Sequence, residues 1–505
     1  MKIGECMKIT VRQSAIIVEG YEVGMSPTIE RLFSIYDMRT HMSYIKGIDY
    51  NPETKVLILP RGIDIRWAEY QLNCKAILDQ NPDKFDFIKG TMLKYKPRDE
   101  RQVKTLQFMV GAGDYRYTQE RSQLCVNNNT GEGKTWACIS TACYLGIKSM
   151  VITSQIGWLQ QWNDRILEYT NVTPKEILFL TSSSAINRVI KYGADQYKFI
   201  LASHSTIATH GKNYGWESVG ELFRILKVGL KFYDEAHLYF DNMSKIDFYT
   251  NTYKTYYVTA TLARSNEDEN RIFKYYMKNI PSISFFDENV DPHTSYTAYI
   301  YNSRPTPMET SACKNAYGLD RNKYTNYVVE KDNFILLLHI LVRDVIMPSS
   351  GKILIYIGTN DAIQKIKDWF EDHYPMFSIG IYTTLTKGDK KSQLNKKIIL
   401  STTKSAGAAM DIQDLEKTIV LAEPFKSPVL ARQTLGRTRA NNTQYIDIVD
   451  NSFVQTRRFY NQKYPIFDKY ATSCDEVRLN DNSLALRGNQ CIQDNIDYPY
   501  PFVWL

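Results

Sequence analysis

The chain has 505 residues, 43% of them hydrophobic, with 62 basic against 55 acidic side chains and a formal net charge of +7. That length suggests about three domains, no apolar run approaches the roughly 18 to 20 residues a membrane span needs, and no charged-then-apolar leader opens the chain. Its eight cysteines include no C-x-x-C pair, which argues against a zinc module or a disulfide scaffold and fits a reducing cytoplasm; the mild basic bias is compatible with a polyanionic partner.

Met-Lys-Ile occurs at Met1 and again at Met7, so Met7 is a second candidate start and the place of residues 1–6 is left open. Residues 1–90 are expected to form a small α+β accessory domain. Segments 9–12 and 16–19 read as strands around a turn. Segment 27–37 reads as an amphipathic helix with Ile29, Leu32 and Phe33 on one face, and 55–62 as a strand ending in a turn.

From 91 to 290, apolar runs alternate with helical patterns. Segments 148–154, 176–180, 198–202, 230–233 and 256–259 are strand candidates, with helices such as 158–169 between them. This alternation predicts a parallel sheet with helices on both faces and ligands at the carboxyl ends of its strands. Two motifs fall at such ends. The first is Thr130-Gly131-Glu132-Gly133-Lys134-Thr135, after the apolar Leu124-Cys125-Val126 and before a helix-compatible run. Gly131 and Gly133 free backbone amides to face phosphates, Lys134 reaches the β- and γ-phosphates, and the Thr135 hydroxyl suits magnesium. Asn128 stands where such loops usually begin with glycine. The second motif, Asp234-Glu235-Ala236-His237, ends an apolar run 100 residues after Lys134. Asp234 would hold magnesium and Glu235 would polarise an attacking water. Cys138 and Cys143 read as core packing. Trp158 and Trp162, four apart on a helix, suit helix packing better than base stacking.

Residues 291–330 are polar and contain Pro305 and Pro307; they read as a linker or excursion. Alternation resumes over 331–455, with strands at 353–357, 379–382, 397–401, 418–421 and 445–449 and a helix at 361–370. This gives a second α/β lobe with no phosphate loop of its own. Residues 456–505 read as a helix carrying Arg457 and Arg458, then an aromatic tail ending Tyr498-Pro499-Tyr500-Pro501-Phe502-Val503-Trp504-Leu505, docked on the protein's own surface.

With Thr130–Thr135 and Asp234–His237 in this order, the chain resembles the superfamily 2 helicases of the DEAH/DExH type, among them compact helicases of large phages, including the T-even branched-DNA helicase, and the poxvirus transcript-release helicase. Further stretches are similar to that family's motifs: Pro97–Gln102 to the adenine-reading region, Val151–Ser154 and Ile200–Thr206 to strand-end contacts, Thr259-Ala260-Thr261 to motif III, Ser401–Asp411 to motif V and Gln433–Arg439 to motif VI. The resemblance implies an α/β fold of two RecA-like lobes, each a parallel sheet with helices on both faces, around Mg-ATP. It implies that Gln102, Thr130, Gly131, Glu132, Gly133, Lys134, Thr135 and Asp411 bind the nucleotide. Thr135 and Asp234 hold Mg2+, and Gln433, Arg437 and Arg439 complete the catalytic set with Lys134, Asp234 and Glu235. Arg437 takes the arginine-finger role. The family's next arginine would fall at Ala440, so Arg439 is one residue early, a turn of about 100° on a helix. Ala409 replaces a glycine common before Asp411. His237, Thr259 and Thr261 couple hydrolysis to a nucleic-acid track contacted by Ser154, Thr206, Thr359 and Thr403. Leu59-Pro60-Arg61-Gly62 is either a strand-ending turn or similar to a motif in the N-terminal domains of some phage and poxvirus helicases; if that domain binds DNA, Arg61 and Arg66 contact phosphates.

The leading expectation is therefore an ATP-dependent 3′-to-5′ DNA helicase or translocase, monomeric and cytoplasmic (the host cytoplasm if phage-encoded). It would act on single-stranded, forked or branched DNA in phage replication, recombination or repair, beside phage replication or transcription partners. The alternative is an RNA helicase or transcript-release ATPase. A non-catalytic clamp needs a broken ATPase site, and Lys134, Asp234, Glu235 and Arg437 are all present.

Overall fold

The computed structural model describes residues 7–497 apart from 38–39, 129–131, 155, 261, 263, 265, 286–292, 317, 384–385, 387–389, 407–411 and 436–442. The chain divides into two compact units, residues 1–286 and 287–505.

Unit 1 opens with seven short strands: β1 (Lys8–Val11), β2 (Ala15–Glu19), β3 (Ser34–Asp37), β4 (Met42–Ile45), β5 (Asp49–Asn51), β6 (Val56–Pro60) and β7 (Ala76–Leu78). β3 and β4 pair as a separate hairpin; the others form one sheet in the order β5-β6-β2-β1-β7. The helix expected over 27–37 stops at Leu32. Ser34-Ile35-Tyr36-Asp37 is instead a strand, because a β-branched and aromatic run favours the pleated backbone and Arg271 draws the chain out by donating to the Leu32 and Ser34 carbonyls.

The main sheet of unit 1 contains β8 (Gln123–Asn127), β9 (Ser149–Thr153), β10 (Ile177–Leu180), β11 (Phe199–Ser203), β12 (Leu230–Asp234), β13 (Lys254–Thr259) and β14 (Ser282–Ile283). All are parallel, in the order β10-β11-β9-β12-β13-β8-β14. Side chains alternate between two cores, as a doubly covered sheet requires. Ile152, Tyr233 and Tyr257 enter one core, while Val151, Phe232 and Tyr256 enter the other. The first core is continuous with Ile9, Val11, Ile16 and Leu59 of the N-terminal sheet. Gly62 marks that junction: a Cβ there would lie 2.0 Å from the Tyr276 carbonyl oxygen, and Asn279 donates to the Gly62 carbonyl from its backbone and its side chain. The glycine of Leu59-Pro60-Arg61-Gly62 thus has a packing reason. Beneath the junction the fully buried Asp247 takes an ion pair from Lys231 at 2.6 Å and hydroxyl bonds from Tyr233, Tyr257 and Tyr276.

Unit 2 contains β15 (Thr294–Tyr301), a short hairpin of β16 (Lys314–Asn315) and β17 (Gly318–Leu319), then β18 (Lys352–Ile357), β19 (Ile379–Tyr382), β20 (Ile398–Ser401), β21 (Leu415–Ala422), β22 (Thr443–Asp450) and β23 (Cys474–Arg478). Its main sheet is parallel in the order β19-β20-β18-β21-β22-β15-β23. Both units are thus RecA-like lobes with helices on each face. The expectation of a linker over 291–330 is corrected here: β15 is an internal strand, paired along its length with β22 and on its other side with β23. Thr294-Ser295-Tyr296-Thr297-Ala298-Tyr299-Ile300-Tyr301 is polar by composition yet dominated by β-branched and aromatic residues, which fit a buried pleated strand. Among the described residues no helix is long and apolar enough to cross a membrane.

Candidate nucleotide site on unit 1

Strand order builds the site. β12 pairs with β13 and β13 with β8, so Asp234 lies level with Val258 and Thr259 level with Asn127. The acidic motif, Thr259 and the start of the phosphate loop therefore meet at one carboxyl edge. The Lys134–Leu145 helix begins there. Its N-cap, Gly133, has φ of +76° and makes no side-chain capping bond, so the first-turn amides face the edge available to an anion. A Cβ on Gly133 would fall 1.9 Å from Gln102 Nε2, which seats the expected adenine reader directly against the loop. Gln102 Oε1 accepts from the Arg98 amide at 2.7 Å, and Glu132 pairs with Arg101 at 3.3 Å.

Asn128 has a structural account. Its side chain is buried, donating to Thr105 at 3.1 Å and accepting from the Phe285 amide at 3.2 Å. Its carbonyl accepts from Lys134 Nζ at 2.8 Å. A glycine could make only the last of these bonds.

Asp234 is held by a residue that sequence reasoning missed in this role. Trp162 and Trp158 are both buried, which excludes base stacking, and the Trp162 indole N–H donates to Asp234 Oδ2 at 2.8 Å. Burial, then the neighbouring Glu235, raises the Asp234 carboxyl above its ordinary range; the Trp162 bond and the Lys134 ammonium oppose that rise. Glu235 is buried with φ of +52°, a left-handed backbone that costs a non-glycine residue about 1–2 kcal/mol and turns the chain sharply after β12. His237 Nδ1 lies 2.8 Å from Thr259 Oγ1 and 3.4 Å from Glu235. Burial, then Arg264 and Lys134, lowers the His237 pKa to about 3, so the imidazole is neutral and its contact with Glu235 is not an ion pair. Thr259 also donates towards Glu235 at 3.5 Å.

Thr135 is half-buried in the first turn of the Lys134–Leu145 helix. Ser154 follows β9 on the same edge, with its hydroxyl buried and unbonded among the described residues. Thr206, in the first turn of the His204–Tyr214 helix, shares a 2.8 Å bond with Ser203. In unit 2, Thr359 caps the Asn360–His373 helix and donates to Asn326, and Thr403 donates to Glu423 from its amide at 2.8 Å and from its hydroxyl. Arg66 is exposed. Arg61 is half-buried beside Arg121, and burial, then that like charge, lowers its pKa. Gln433 sits in the Pro428–Leu435 helix. Thr130, Gly131, Thr261, Asp411, Arg437 and Arg439 lie outside the described residues. No group of three or more His, Cys, Asp or Glu side chains among the described residues is arranged to hold a metal. A Mg2+ ion bound through one carboxylate and nucleotide phosphates fits that donor set.

Both lobes are RecA-like, and the first brings Gly133-Lys134-Thr135 and the Asp234-Glu235 pair to one sheet edge. Residues 86–264 match the family described as "Type III restriction enzyme, res subunit". Among solved structures, S. cerevisiae Dbp5 bound to RNA and ADP BeF3 is similar at 13% identity and a TM-score of 0.53, covering 79% of this chain and 95% of that chain. The crystal structure of T4 UvsW is 14% identical, covers 94% of this chain and 100% of that one, and has a TM-score of 0.36. No curated protein matches the chain.

Proposed function

We propose that the protein is an ATP-dependent DNA helicase or translocase of the DEAH/DExH type, moving 3′-to-5′ on single-stranded, forked or branched DNA in phage replication, recombination or repair. The observation that carries the ATPase reading is the convergence of Gly133–Thr135, Asp234, Glu235 and Thr259 on one sheet edge. The resemblance of the ordered motifs, and the net charge of +7, support a nucleic-acid track; DNA, polarity and pathway follow from the resemblance.

In this reading Lys134 leaves the Asn128 carbonyl for the β- and γ-phosphates, and the amides opened by Gly133 donate to phosphate oxygens. Thr135 and Asp234 would hold Mg2+, whose charge offsets that of the triphosphate. Glu235 orients a water and takes its proton, while the neutral His237 and Thr259 hold that carboxylate. Arg437, with Gln433 and Arg439, supplies positive charge from the second lobe. Gln102 reads the base and Asp411 contacts the nucleotide. Ser154, Thr206, Thr359 and Thr403 contact the track through phosphates, with Arg61 and Arg66 on the accessory domain.

The RNA reading is kept because Dbp5 shares the fold and was solved with RNA. Steady-state ATPase with no nucleic acid, single-stranded DNA, forked DNA, a four-way junction and RNA, beside Lys134→Ala, decides between them. Strong stimulation by DNA, abolished in the variant, is the expected result. Stimulation by RNA alone transfers the assignment to an RNA motor. Tight DNA binding without ATPase on any ligand sinks the motor.

A further inference from the structure

Lys46 ends the β3–β4 hairpin of the N-terminal region, yet its ammonium is not in solvent. The side chain is 9% exposed and reaches two carboxylates of the main lobe, Glu269 and, at 3.1 Å, Asp241. Those acids have particular addresses. Asp241 lies in the first turn of the Phe240–Tyr249 helix, which follows Asp234-Glu235-Ala236-His237 after Tyr239, itself at φ of +51°. Glu269 lies in the first turn of the Glu267–Met277 helix, the next helix after Thr259. One lysine from outside the lobe therefore bridges the helices that follow the two coupling motifs.

The chain of contacts continues to the site. Glu269 Oε2 accepts from Arg264 Nε at 3.0 Å and from its terminal nitrogen at 2.7 Å, while Oε1 faces Lys46. Arg264 donates its other terminal nitrogen to the His237 carbonyl, and its amide bonds to Asn270 at 2.9 Å. Its guanidinium also lies over the Phe240 ring at 5.6 Å. His237 in turn meets Thr259 and Glu235.

The local backbone is built for this approach. Gly47 has φ of +78°, and a Cβ there would lie 2.7 Å from Ile272 Cγ2 and 3.2 Å from the Phe240 ring, one residue on each of the two bridged helices. Arg271 fixes the near end of the hairpin through the Leu32 and Ser34 carbonyls. A lysine serving only solubility would not be desolvated beside two acids, next to a glycine whose replacement would crowd side chains of both helices.

We infer that Lys46 and Glu269 are positioning residues for ATP hydrolysis: the accessory domain fixes Arg264, and through it the turn that carries His237 and Glu235. This inference rests on the ATPase reading above. These contacts reach the site from the acidic-motif side, through the His237 carbonyl, where the proposed reading places the attacking water. Turnover should therefore respond, and ATP affinity should not.

The test uses full-length protein: steady-state ATPase with saturating forked DNA for the parent, Lys46→Met, Glu269→Gln, the double variant and Lys46→Arg, with thermal melts and DNA binding in parallel. Each charge-removing single variant is expected to lower kcat about tenfold, with KM for ATP changed by less than about twofold. The double variant should be no slower than the slower single, because both break one chain. Lys46→Arg should keep at least about half of parental kcat, since it restores the charge. Glu269→Gln preserves size, so it decides the matter alone if Lys46→Met does not fold. Single variants within about twofold of parental kcat, a fall shared equally by KM, or multiplying effects in the double variant would overturn the inference. A parent whose ATPase is stimulated by DNA and abolished by Lys134→Ala shows that the underlying reading stands whatever these variants do; a parent without ATPase removes both.

Discussion

Asp234 and its tryptophan illustrate what one side chain contributes. The indole of Trp162 donates to Asp234 Oδ2 and orients the carboxylate proposed to hold the cation. A hydrogen bond to a charged group is worth about 1.5–3 kcal/mol, so Trp162→Phe is expected to raise the magnesium concentration for half-maximal ATPase by about tenfold. The pH dependence has a definite sign. Burial and Glu235 already raise the Asp234 pKa, and the indole bond opposes them. Removing that bond stabilises the protonated acid further, so the acidic limb of the pH–rate profile moves to higher pH. An unmoved limb with unchanged magnesium dependence would show that the indole only packs. The sequence shows Gly133, Lys134, Thr135, Asp234 and Glu235 because phosphate and water chemistry admits few substitutes for them. Trp162 was legible as a helix residue but not as a partner of Asp234, because its acceptor lies 72 positions away and periodicity carries no information on long-range pairing.

The same contrast holds for whole elements. Strands β9 and β11 are near-continuous apolar runs, as buried parallel strands should be, and can be read directly. β15 is hidden by its threonines and tyrosines, and the β3–β4 hairpin by a helix-like spacing of Ile29, Leu32 and Phe33. The phosphate loop departs from the general pattern at Asn128, and the structure explains the departure: the residue is pinned to the Glu100–Val110 helix through Thr105 and to the segment after β14 through Phe285. Asn128→Ala removes one partner from the buried Thr105 hydroxyl and the partner of the half-buried Phe285 amide, and a loss of about 1–3 kcal/mol in unfolding free energy is expected. Chemical denaturation of parent and variant measures it. A variant as stable as its parent would mean that the two groups find other partners.

At the scale of the whole molecule, the N-terminal sheet and the first lobe share one hydrophobic core, which a reading by motif could not reveal because motifs carry no information on which apolar faces pack together. Deleting residues 1–78 would expose the faces of Phe240, Phe273 and Tyr276 that this core encloses. The loss should exceed the about 5–15 kcal/mol by which domains are stable, so the truncated chain is expected to aggregate or melt without cooperativity. A soluble truncation with a sharp calorimetric transition would contradict the shared core. The chain holds seven tryptophans and 36 tyrosines, and one of those tryptophans hydrogen-bonds the acid assigned to the cation. The protein therefore carries its own optical probe. Excited at the red edge, where tyrosine is dark, the difference between parental and Trp162→Phe emission isolates Trp162, and a change in that difference on adding magnesium is the outcome expected if the proposed cation binds Asp234.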